Sequence, residues 1–137
     1  MADVLPDQLN VDLLSKVHDF DISGDVFLVA LATNAYTPAV SHSNYSDLTN
    51  EVAAGGGYST GGKALTGQNV TDQSGTGQWD ADDTVWTSAT ITARYAFVYN
   101  ASQGNKTVAI YDFGSDITST AGNFTVQWHA NGLLRIS

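Results

Sequence analysis

The sequence predicts a mainly β, single-domain antiparallel sandwich or irregular barrel carrying one N-terminal helix. Three observations lead there. Only residues 7–18 hold a helical apolar period. Short β-prone runs follow one another from residue 25 to the end, with turn signals every 8–12 residues. A chain of 137 residues buries about two-thirds of the surface it exposes when unfolded, which suits one core and one domain.

The elements follow in order. Residues 1–6 form an arm. Pro6 precedes the helix, Asp7 is suited to its first turn, and Leu9, Leu13, Leu14 and Val17 make its apolar stripe. Lys16 and His18 complement the helix dipole at its far end. A turn-rich exit at 19–24 opens the β-rich body, residues 25–136. Asp25 to Thr33 is a nearly unbroken apolar run, the pattern of a strand buried on both faces. Residues 44–53 are expected to form a short helix capped by Ser43 or Asn44. Five glycines in residues 55–62 exclude a regular element there. Strands are expected at Lys63–Thr66, Asn69–Asp72, Thr76–Trp79 and Thr84–Trp86, and a long one at Thr90–Asn100 that hairpins with Thr107–Phe113. Gly114–Gly122 reads as a loop. Asn131-Gly132 predicts a hairpin joining Phe124–His129 to Leu133–Ile136. About eight strands result.

Composition excludes whole classes of chemistry. With no cysteine there is no disulfide framework, thiolate metal site or thiol nucleophile. Five Lys and Arg against 14 Asp and Glu, net charge -9, argue against nucleic acid and against anionic membranes. The longest apolar run, Val26–Ala32, is far short of a bilayer span. The first ten residues lack the basic and apolar regions of a signal peptide, so the expectation is synthesis in a cytoplasm.

Motifs that suggest catalysis or cofactors read better as structure. Gly57 to Lys63 fits GxxxxGK, but Ala64 stands where a phosphate loop needs a hydroxyl for magnesium. Asp80, Asp82 and Asp83 form the densest acid cluster, without the calcium-hand glycine and glutamate, and read as a solvated turn. His18, His42 and His129 share no metal-ligand spacing. Glu51 is the one glutamate, so a glycosidase pair would lean on turn aspartates. Trp79, Trp86 and Trp128 could build a sugar-binding platform, although Tyr95, Phe97 and Tyr99 alternate along one strand face as packing residues do. Five Asn-x-Ser/Thr sequons, at Asn44, Asn69, Asn100, Asn105 and Asn123, reflect an Asn-, Ser- and Thr-rich chain. No catalytic, cofactor or metal residue is assigned, and the expectation is a non-enzymatic protein.

One ordered set of residues spans nearly the whole chain: Lys16-Val17-His18; Val26–Asn34 into Ala35-Tyr36-Thr37-Pro38; Asn50-Glu51-Val52; Gly57-Tyr58, Gly61-Gly62 and Leu65-Thr66-Gly67. It continues with Asp80-Ala81-Asp82-Asp83 before Trp86, Thr92-Ala93-Arg94 before Tyr99, Asp112 to Asp116, Phe124 to Trp128, and Asn131 to Leu134. In this the chain resembles a family of small structural proteins of tailed bacteriophages. The resemblance implies a virion component without enzymatic activity, foremost a decoration (cement) protein on the outer head surface. A neck or tail accessory protein and a carbohydrate-binding module on the virion are the alternatives. The implied partners are the major capsid protein, other virion proteins and further copies of the chain, a trimer being expected from lattice symmetry. The charge of -9 keeps free copies apart, and many lattice sites make modest contacts sufficient. The docking elements expected are the arm, with Ala2, Val4, Leu5 and Pro6, and the glycine loop, with Gly55, Gly56 and Gly57.

Overall fold

A computed structural model describes residues 3–21, 23–130 and 132–136. It contains helix α1 (Asp7–Leu14) and strands β1 (Phe27–Ala32), β2 (Lys63–Ala64), β3 (Asn69–Gln73), β4 (Thr76–Asp80), β5 (Thr84–Asn100), β6 (Lys106–Val126) and β7 (Leu134–Ile136). Two antiparallel sheets result, β2-β1-β5-β6 and β3-β4-β7. The mainly β architecture with one N-terminal helix is as the sequence predicts.

β1 shows why its sequence is so uniformly apolar. Phe27, Val29 and Leu31 face one core, and Ala30 and Ala32 face a second. The first core fills the space between the sheets, where Trp79 of β4 lies 4.9 Å from the Phe27 ring and 4.5 Å from Phe20. The second lies beneath the 33–50 segment. There Tyr36 meets Tyr95 edge-on and Tyr45 stacks on Tyr99 at 4.6 Å. Tyr95, Phe97 and Tyr99 do share the face expected of them.

Five expectations need correction. Seven strands form where about eight were expected, because Thr84–Trp86 and Thr90–Asn100 are one strand, β5, and Thr107–Phe113 runs on to Val126 as β6. α1 ends at Leu14, because Lys16 turns to φ 59° and Val17 N donates to Asp12 O. Residues 44–53 hold only a single 3-10 turn, Tyr45–Asp47, with Asn44 and Asp47 forming a reciprocal capping box. Glu51 and Val52 instead pair with the edge of β1. The expected loop at 114–122 is the middle of β6, paired with Ala89–Ala93. Irregular register there is closed by side chains: Ser119 Oγ donates to Ala89 O at 2.8 Å and accepts from Ile91 N at 3.3 Å. Those bonds let a glycine- and serine-bearing segment stay in a ladder. Finally, a turn closes between His129 O and Gly132 N, but β6 and β7 do not pair across it; β7 joins β4. Asn131 lies outside the described residues.

Candidate functional site

The arm is tied to the body. Val4 and Ile110 exchange both backbone hydrogen bonds, 2.8 and 2.9 Å, along the outer edge of β6, and Asp3 Oδ1 accepts from Asp112 N. Alternation then turns Leu5 outward, 48% exposed, while Pro6 is buried. In α1, Leu9 and Asp12 are buried and Leu13 is half-buried, whereas Val11 is 54% and Leu14 92% exposed. Leu14 sits five residues from Leu9, about 140° around the helix, so the short α1 cannot bury both against one surface. Asp7 N donates to Val40 O, and Val40 is itself 51% exposed. Leu5, Val11, Leu14 and Val40 thus stand exposed on and beside the N-terminal segment. Ala2 lies outside the described residues.

The glycine loop is exposed but not loose. Gly56 O accepts from Thr90 N at 2.8 Å, and a side chain on Gly56 would lie 2.8 Å from Thr90 O. Gly55 and Tyr58 exchange backbone bonds, and all three of Gly55, Gly56 and Gly57 have positive φ. The loop and the arm therefore occupy different strands, Gly56 on β5 and Val4 on β6.

Sequence reasoning missed the network that holds this loop. Glu51 accepts from Tyr45 Oη at Oε1, and from Tyr58 Oη and Gly61 N at Oε2, at 2.5, 2.5 and 2.7 Å. Tyr58 Oη accepts from Leu31 N, and Tyr99 Oη donates to Gly61 O at 2.6 Å. Burial, with the nearby Glu51 charge, raises the Tyr45 and Tyr58 phenols above their ordinary range and pushes Tyr99 up to about 12. Every donor here serves the fold, and the carboxylate works as a clamp. The available signal was a lone glutamate close to Tyr45 and Tyr58 in the chain.

The other tempting groups are similarly engaged. Lys63 Nζ donates to Val85 O at 2.5 Å. The acid turn grips Trp128: Asp83 Oδ1 accepts its backbone N, and Asp82 O accepts its indole N, both at 3.1 Å. Among the described residues no group of three His, Asp or Glu converges as a metal site. Trp79, Trp86 and Trp128 are all buried, so none offers the flat exposed ring a sugar platform requires. His129 lines a cleft of about 360 Å³ with Asp3, Tyr111 and Trp128. His42 Nδ1 meets Tyr36 Oη at 2.7 Å.

His18 is the exception in character. Its side chain is fully buried, next to Asn100, Asp25 and Asp12. Burial outweighs the nearby carboxylates and lowers its pKa below the ordinary 6.5. Burial would raise Asp25, but hydrogen bonds from Asn100, Asp19 N and Gln103 hold it below 3.8.

Comparison with protein-family models, curated proteins and solved structures finds no match to this chain.

Proposed function

We propose that this chain is a non-enzymatic structural protein of a tailed-phage virion, docking through its N-terminal segment onto the outer surface of the head. The observation that carries the reading is that Leu5, Val11, Leu14 and Val40, four of the eight large apolar side chains exposed among the described residues, lie on and beside the N-terminal segment, while Val26, Val70, Ile117 and Ile136 stand elsewhere. Large apolar side chains left in water beside a hydrogen-bonded segment suit burial against a partner. The arm is held in place by the Val4–Ile110 pairing, so docking through Leu5 would cost little ordering entropy. Copies bound at many equivalent sites follow the symmetry of the lattice, and a trimer at local three-fold positions is the assembly we assign. The Glu51–tyrosine clamp and the Trp128 clasp fit a protein whose polar groups are used to keep a loop-rich body rigid.

Immunogold labelling of particles in the source lysate, with antibody to this chain, tests the reading. Gold spread over the heads supports it. Gold confined to one vertex or to the tail transfers the protein to the neck or tail and removes the lattice argument. Unlabelled particles overturn the virion reading.

A further inference from the structure

A chain of buried polar groups joins α1 to the turn end of the β5–β6 hairpin. Asn100 is fully buried at its centre. Its Oδ1 accepts from Ser102 N at 3.0 Å, which settles which end of the amide is oxygen. The two Nδ2 hydrogens go to Asp25 Oδ2 at 2.8 Å and His18 Nδ1 at 2.9 Å. Nδ1 is therefore an acceptor, and the ring carries its proton on Nε2. That N–H faces Asp12 Oδ2 from 3.7 Å, too far for a hydrogen bond. Neither atom has a hydrogen-bond partner among the described residues, and the His18 and Asp12 side chains are 0% and 4% exposed. The rings of Phe20 and Phe27 flank the imidazole at 5.5 and 6.2 Å.

We propose that Asp12, His18 and Asn100 form an acid-opened latch, which holds α1 and residues 15–18 on the body near neutral pH and releases them when His18 takes up a proton. The proton comes from solvent and has only Nδ1 to occupy. It then meets the Asn100 amide hydrogens, donor against donor. Flipping Asn100 does not help: its oxygen would face the Asp25 carboxylate, and Ser102 N would lose its acceptor. The cation is accommodated by the ring leaving. Charged groups facing His18 from the surrounding elements are Asp12 on α1, Asp25 ahead of β1 and Lys106 at the start of β6. The carboxylates favour the cation, while burial and Lys106 oppose it. The moving part is lightly held: of its apolar side chains, Leu9 is buried, Leu13 and Val17 are half-buried, and Val11 and Leu14 are exposed. Segments of that kind open before the core does. The latch belongs to the chain alone and holds whatever the protein docks on.

Hydrogen exchange of the peptide covering residues 7–18, corrected for intrinsic rates, tests this at pH 7.5 and pH 5.0. A histidine that must open to protonate increases opening by up to tenfold per pH unit below 6.5. Protection should therefore fall roughly ten- to thirtyfold at pH 5.0, while peptides from 95–100 stay protected. His18→Gln should abolish the pH dependence. Equal protection at both pH values, or the same acid loss in His18→Gln, overturns the latch. Should His18→Gln not fold, the wild-type His18 ring is titrated by NMR. Protonation accompanied by loss of the 7–18 amide signals supports the latch, and protonation with those signals unmoved overturns it.

Discussion

Glu51 is the residue on which the middle of the chain depends, and replacing it with alanine should cost about 3–5 kcal/mol. Hydrogen bonds to a charged group contribute about 1.5–3 kcal/mol each, and Glu51 receives three. The three are unequal. Tyr45 is half-exposed, so water replaces the carboxylate cheaply there. Tyr58 is 2% exposed and already accepts from Leu31 N, so its hydroxyl hydrogen would be stranded. Gly61 N would be left without its acceptor in the turn that leads to β2. Counting roughly 2 kcal/mol for Tyr58, 1–2 for Gly61 and under 1 for Tyr45 gives the total. Glu51→Gln should be milder, about 1–2 kcal/mol. Its oxygen can serve Tyr58 and Gly61 while its amide donates to Tyr45 Oη. Urea unfolding followed by tryptophan fluorescence measures both, since all three indoles are buried. A loss below about 1 kcal/mol for Glu51→Ala, with the slope unchanged, would refute the clamp.

Other expectations concern the loop, the arm and the response to acid. Gly62→Ala should destabilise strongly even though it lowers the entropy of the unfolded chain, since its Cβ would lie 1.8 Å from Val29 O at φ +86°; a melting temperature within a few degrees of wild type would contradict this. Val11→Asp with Leu14→Asp should change stability by less than about 0.5 kcal/mol, both positions being exposed, yet abolish co-sedimentation with phage heads. Arg94 and Gly114 N hold Asp112 below 3.8 despite its burial, as the Asn100 set holds Asp25. The stability these two carboxylates contribute is present above pH 3.8 and lost as pH falls through their folded values. Asp112→Asn should therefore flatten the acid limb of a stability–pH curve, and an unaltered limb would count against the pairing.

Much of the fold is legible in the sequence because burial leaves a period. β1 is apolar on both faces since each face has its own core, and Tyr95, Phe97 and Tyr99 alternate because the second core demands it. The legible part ends where hydrogen bonds rather than apolar contacts hold the chain. The middle of β6 is one-sided and edge-facing, so Ser, Thr and Gly suffice, and Ser119 repairs the ladder in a way no propensity encodes. The C-terminal pairing misleads because Gly132 makes its turn while the two strands enter different sheets. At the candidate site, Val4 and Leu5 are readable as apolar arm residues. The outward aim of Leu14 depends on α1 stopping at residue 14, and that stop is made by Lys16 at φ 59° rather than by glycine or proline.

The pairing of residue 4 with residue 110 also orders the events of synthesis. A chain emerging N-terminus first offers its arm nothing to pair with until the start of β6 has been made. β1 likewise waits for residues 95–100, and β4 waits for the last strand of all. The apolar run Phe27–Ala32 meets Glu51, Val52 and β2 first, and stays without its β5 partner until residues 95–100 are made. It needs contacts from far downstream on both faces, and such distant closures make folding slow. During that interval the run is exposed with its β5 partner still untranslated, a state open to aggregation.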